Sequence, residues 1–229
     1  MIAILPHGDV ESHPELLEAM EEVGRRYDGA STVIVVTPHN VHVEGHFAVA
    51  TSARVGEHEV DRELALRLID EIRAAGLPVV GVSFGGNDPA QAELPLDWGT
   101  EIPLRYVRAR KVVVIAPARD RPLEEHIELG RVIARCNLQP ALIASADHAH
   151  AHDASGPYGF DPAAAEYDRA FCDLVRTGDF RPLAGLVEAA KADSLWQLLV
   201  LQGATGGRPL DLLAYSAPTY YGMAVAVAT

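Results

Sequence analysis

Two cysteines in 229 residues are too few for a disulfide framework, and they form no CxxC pair. Cys136 and Cys172 lie in or beside helix-like stretches and read as buried free thiols of a reducing compartment. Positive charge is also scarce: 19 Lys and Arg face 32 Asp and Glu, a formal charge of −13. Phosphate recognition needs a basic surface, so the balance argues against nucleic acid and against an anionic membrane as partners. No apolar run approaches the roughly 18 residues of a membrane span. Residues 1–6 have no basic segment leading into a hydrophobic one, so no signal peptide is expected. These absences together predict a cytoplasmic protein.

What is present is ordinary for a globular chain: 48% apolar and 22% charged residues, enough for one large core. Runs rich in Val, Ile and Ala at 2–5, 32–37, 47–51, 79–84, 111–116, 141–146 and 222–228 predict strands covered on both faces. Helical periodicity falls between them, at 13–26, 59–75, 122–135, 163–176, 181–191 and 194–203. The first of these helices has Pro14 in its opening turn and Glu15 beside it, as a helix start favours. The alternation predicts a three-layer α/β/α sandwich around a mostly parallel sheet. With no linker, repeat or low-complexity segment, residues 1–229 read as a single domain. Stretches 85–103 and 147–162 read as long functional loops.

Histidine is the conspicuous residue, with ten copies. His7 and His39 each follow an apolar run through a proline, in Leu5-Pro6-His7-Gly8 and Thr37-Pro38-His39-Asn40. Proline ends the strand ladder, and Gly8 lets the chain turn so that the imidazole faces a cleft. A lone histidine in such a place is usually a polar cap. Two at equivalent strand ends point instead to a ligand pair, since ligands collect at the carboxyl ends of parallel strands. After the run 141–146 come His148, His150 and His152 in alternation; an extended chain would put all three on one face. A histidine beside a metal without binding it is a natural proton shuttle. A third ligand of carboxylate type would complete a two-histidine iron site. Asp193 precedes the apolar run 195–201, but the residues alone favour a helix N-cap there.

With these residues in view, the chain resembles the class III extradiol ring-cleavage dioxygenases, the LigB-like superfamily, over nearly its whole length. His7 and His39 match that family's two histidine ligands. Leu96-Asp97-Trp98-Gly99-Thr100-Glu101-Ile102-Pro103-Leu104 is similar to its Asp-His-Gly-x-x-x-Pro-Leu segment. Ser145-Ala146-Asp147-His148-Ala149-His150 resembles Ser-Gly-Asp-Leu-Ser-His, and Gly156–Pro162 and the closing 218–226 also look like relatives' sequence. The resemblance assigns Asp193 as third metal ligand and His150, with His148 beside it, to acid–base catalysis. It also assigns Asp97, Trp98 and Tyr158 to the substrate pocket. Two departures stand out. Classical members have Glu where this chain has Asp193, and the related Memo-like proteins have Cys. Trp98 replaces a histidine, exchanging a polar group for an aromatic wall or a packing residue.

The resemblance implies an Fe(II)-dependent oxidoreductase of aromatic compound catabolism. It would open the ring of a small catechol-type substrate with both atoms of O2. Zn(II) accepts the same ligands, so a zinc hydrolase or a Memo-like metal-binding or redox protein is the alternative. Some relatives need a small partner subunit over the active site. Apolar surface on the later helices would serve a homodimer, though core burial explains the same residues.

Overall fold

Unbroken Val and Ile runs form the middle of one sheet because helices cover both of its faces. The computed structural model describes residues 1–27, 29–136 and 141–228. In chain order the elements begin with β1 (Ile2–Leu5), α1 (Pro14–Tyr27), β2 (Thr32–Val36), β3 (Phe47–Ala50), β4 (Arg54–Val55) and β5 (His58–Glu59). Next come α2 (Arg62–Ala74), β6 (Val79–Val82), β7 (Glu93–Leu94), α3 (Trp98–Tyr106), β8 (Lys111–Ala116) and α4 (Leu123–Arg135). The last are β9 (Ala141–Ser145), α5 (Ala163–Leu174), α6 (Val187–Ala190), α7 (Leu195–Thr205), β10 (Leu210–Ser216) and β11 (Met223–Ala228).

The large sheet has the order β10-β11-β1-β9-β2-β8-β3-β6, and β5-β4-β7 make a small second one. β1, β9, β2 and β8 run parallel, while β11 and β3 flank them antiparallel. The carboxyl ends of the four central strands therefore share one edge, with β9 between β1 and β2. Along β1 and β11 the two faces separate by simple alternation. Ile4, Ala224 and Ala226 pack with Phe171 of α5 and Leu198 of α7. Ala3, Leu5, Val225 and Val227 belong with Leu16, Met20 and Val23 of α1. This is the α/β sandwich that the sequence predicts.

α7 is apolar almost all round because it is enclosed, with Leu195, Leu198, Leu199, Val200 and Leu201 all buried. It crosses α4 backbone against backbone. A Cβ on Gly130 would strike the Val200 carbonyl, and one on Gly203 would strike that of Ile127. Among the described residues no helix is long and apolar enough to cross a membrane. Cys136 and Cys172 are unpaired and half-buried, less enclosed than the sequence suggests.

Three expectations need correction. The helix expected over 181–191 is broken into a 3-10 turn at Arg181–Gly185 and the short α6. Pro182 and Gly185 account for the break, and Lys191 ends α6 in the left-handed region at φ 54°. The stretch 85–103 is not one long loop: it holds a 3-10 turn at Pro89–Gln91, then β7, then the start of α3. Finally β10, which the sequence reading leaves unassigned, adds a half-exposed strand at the sheet edge.

Candidate metal centre

His7 lies two residues beyond β1 and His39 three beyond β2, so both reach the shared carboxyl edge. Their Nε2 atoms face each other at 3.0 Å, with the rings edge to face. One oxygen of Asp193 stands 3.8 Å from His7 Nε2 and 3.6 Å from His39 Nε2. Among the described residues these three form a group able to hold a metal, with ligand atoms all within 4.8 Å of one another. Atoms bound at about 2.1 Å to one ion stand at most about 4.2 Å apart, and all three separations meet that limit. The other Asp193 oxygen is buried with no hydrogen-bond partner in the protein. A buried carboxylate with one oxygen unpartnered and the other facing two opposed imidazole nitrogens is what a cation would satisfy.

Asp193 does not cap α7. Ser194 holds the N-cap position, and its hydroxyl meets Tyr167 Oη at 2.9 Å and His148 Nδ1 at 3.2 Å. The preference for a cap therefore fails, because the helix begins one residue later than the sequence suggests. The left-handed turn at Lys191 brings the chain round to Asp193 just after Ala190, whose carbonyl accepts from the His150 backbone N–H at 2.9 Å.

A chain of hydrogen bonds fixes the His7 tautomer. Pro103 sits inside α3 and has no N–H for the Gly99 carbonyl four residues back. That carbonyl instead accepts a short bond from the Ser145 hydroxyl. With its one proton engaged, Ser145 Oγ can only accept from His7 Nδ1, at 3.0 Å. Nδ1 therefore carries the proton, and Nε2 presents its lone pair to the centre. Asp147 accepts from the His7 backbone N–H at 3.0 Å and places its second oxygen 3.6 Å from His7 Nε2.

The electrostatics favour positive charge at this point. Burial works to lower the pKa of His7, but Asp147 and Asp193 outweigh it and the net shift is upward. His39 is held down at about 4, first by burial and then by the neighbouring His7, with Arg119 adding to the effect. Burial works to raise Asp193, yet the three histidines around it, His7 foremost, bring it below the usual carboxylate range. Asp147 is raised, chiefly by burial.

His148, His150 and His152 do not share one face, although no helix intervenes. His148 is buried, its ring tilted by 32° against Phe171 with centroids 3.8 Å apart, and burial lowers its pKa to about 4. His152 donates to buried Asp168 at 2.7 Å. His150 is the one of the three that lies among the aromatic rings of Tyr158, Tyr220 and Tyr221. Its Nδ1 donates to the His148 carbonyl at 2.9 Å, so its Nε2 is the unprotonated nitrogen of the neutral ring. Trp98 is exposed and its ring lies 4.4 Å from that of His39. Tyr158 is exposed as well.

Asp97 is half-buried near the two ligand histidines and fully engaged in hydrogen bonds. Its oxygens accept from Thr37 Oγ1, Asn40 Nδ2 and both the N–H and hydroxyl of Thr100, each at 2.8–3.0 Å. It thereby ties the turn around His39 to the start of α3. Sequence reasoning missed the residues that position others: Ser145, Asp147 and Asp168. Asp168 accepts from Ala149 N–H, His152 and Tyr215, holding the histidine segment against β10. The Ser145-x-Asp147 spacing after a strand was the available signal for the first two.

Comparison with known proteins adds an independent line. A family profile described as the catalytic LigB subunit of aromatic ring-opening dioxygenase matches residues 7–227. Protein CA_C1420 of Clostridium acetobutylicum is 22% identical over 169 residues, covering 65% of this chain and 36% of that one. The chain thus spans about a third of the length of the curated relative it matches. The crystal structure of uncharacterized protein JW3007 from Escherichia coli K12 aligns over 99% of both chains, with a TM-score of 0.66 at 17% identity. That likeness is one of fold.

Proposed function

The chain belongs to the family of catalytic LigB subunits of aromatic ring-opening dioxygenases, and from this premise we propose that it is an iron(II)-dependent extradiol dioxygenase for a catechol-type ring. The observation that supports this most is the meeting of His7, His39 and Asp193, far apart in the chain, at the carboxyl edge of the sheet. His7 and His39 would hold the metal through Nε2 and Asp193 through a carboxylate oxygen, a donor set suited to iron(II) and also acceptable to zinc(II). When bound, iron(II) supplies the redox and Lewis-acid chemistry toward dioxygen and the diol.

The remaining work falls to side chains. His150, with Nδ1 engaged by the His148 carbonyl, has Nε2 free to take a proton from a ring hydroxyl and later return one. His148 itself, buried against Phe171 and Ser194, acts on the reaction through that carbonyl. Trp98 and Tyr158 offer exposed aromatic surface to the face of a ring. Asp97 serves the pocket by fixing the His39 turn.

Anaerobic reconstitution with iron(II), followed by oxygen uptake with a panel of catechols, tests the reading. Stoichiometric, substrate-dependent uptake is expected. Zinc retained one to one with no uptake would move the reading to a zinc hydrolase or a Memo-like metal protein.

A further inference from the structure

Residues 220–222 lead into β11 and run antiparallel to the histidine segment. The His148 N–H donates to the Gly222 carbonyl at 2.8 Å, the Gly222 N–H to the Ala149 carbonyl at 2.9 Å, and the His152 N–H to the Tyr220 carbonyl at 3.1 Å. This pairing brings Tyr221 beside His150, with ring centroids 5.8 Å apart and planes 27° from parallel. The other end of Tyr221 reaches a different loop, where its hydroxyl accepts from the Asp9 N–H at 3.1 Å. Gly8 makes the crossing possible, since a Cβ there would strike Cε2 of the Tyr221 ring. Tyr221 thus spans from the His150 side chain to the turn that carries His7. Tyr158 stands edge-on to His150 at the same distance, but it is exposed.

We propose that Tyr221 is a positioning residue: it holds the plane of the His150 imidazole and fixes that ring relative to the His7 turn. The proposal rests on the reading of His150 as the acid–base group and adds the residue that aims it. The one hydrogen bond of the His150 ring, from Nδ1 to the His148 carbonyl, leaves the ring able to pivot about that bond. A flat aromatic face alongside removes this freedom by contact. The Asp9 N–H then anchors Tyr221 at its far end, so the aromatic face is itself held. Aim matters here, because a misplacement of about 1 Å at a reacting group costs on the order of 100-fold in rate. Gly8 therefore does more than let the chain turn: the side chain it lacks leaves the space that the Tyr221 ring fills.

Two measurements test it, and the first needs neither metal nor substrate. Long-range proton–nitrogen NMR of the metal-free, histidine-labelled protein, at a pH of about 9 where free imidazole is neutral, should show His150 as the Nδ1–H tautomer. Its signals are identified by their loss in His150→Gln. Tyr221→Leu should admit the Nε2–H form as well, and an unchanged signature in that variant would overturn the proposal. The second measurement is catechol turnover. Tyr221→Phe keeps the ring and its packing, and should lower kcat by about 2- to 10-fold, the worth of the lost hydrogen bond. Tyr221→Leu should lower it by about 100-fold, with KM and metal content native in both. In a His150→Gln background both losses should vanish, because a residue that acts through His150 has nothing left to aim. Losses that persist there, or that fall on KM and leave kcat unchanged, would also overturn the role of Tyr221. A native chain without turnover, whose tautomer still shifts in Tyr221→Leu, would sink the ring-cleavage reading and leave the positioning of His150 standing.

Discussion

Single atoms decide how this centre works. His150→Gln keeps the side chain polar and roughly the same size but removes the base, so turnover should fall by about 10²–10⁴-fold with metal content unchanged. Full activity in that variant would take His150 out of the mechanism. Ser145 acts one step further back, through the tautomer of His7. Ser145→Ala should weaken metal affinity by about 10- to 100-fold, the usual cost of losing a partner to a ligating histidine, as read by chelator competition. His126 gives a residue-level prediction about pH. It is buried on α4 against Phe47, and burial lowers its pKa from 6.5 to about 4. The unfolded chain therefore takes up the proton first. Stability from this residue is complete above about pH 6.5 and is lost as pH falls toward 4, by up to about 3 kcal/mol. Urea unfolding across that range should show a shallower acid loss in His126→Leu than in the native protein. Parallel curves would contradict it. At this scale the ligand histidines were legible, because Pro-His after a strand is a local pattern. Ser145 was not, since its partners lie 46 and 138 residues away and no local periodicity encodes them.

At the scale of elements, the contact between α4 and α7 sets the most specific demand. Helix propensity alone says that Gly→Ala should stabilise each helix by about 1 kcal/mol. Here the added methyl would meet a facing backbone carbonyl at either Gly130 or Gly203, and backbone cannot rotate away. Overpacking then wins, at about 1–3 kcal/mol or more. The melting temperature of Gly203→Ala should drop by roughly 2–12 °C, and a rise would show that the helices are further apart than described. The sequence exposed most elements because β-branched runs and three-to-four spacing survive without tertiary context. It failed where that context decides. β10 carries no clean alternation, being a half-exposed edge strand. Pro182 and Gly185 interrupt the apolar spacing of 181–191. Asp193 looked like a cap because helix starts are uncertain by a residue, and that one residue separates a structural serine from a candidate ligand.

For the whole molecule, the parallel order β1-β9-β2-β8 turns three distant stretches of chain into one site. The order in space differs from the order in sequence, which is why strand-end histidines could be recognised while their meeting with Asp193 could not be derived from spacing. An ion held by residues 7, 39 and 193 would also bind the native fold and not the unfolded chain. Melting temperature should then rise with free metal, by the equivalent of about 2.7 kcal/mol at a hundred times the dissociation constant. The most direct test of the account is metal stoichiometry by elemental analysis after anaerobic loading and desalting, on the native protein and on His39→Ala and Asp193→Ala. One divalent ion per native chain is predicted, with strong loss in both variants while the circular dichroism stays native. A native chain that retains no ion, or variants that retain as much as the native chain, would contradict it.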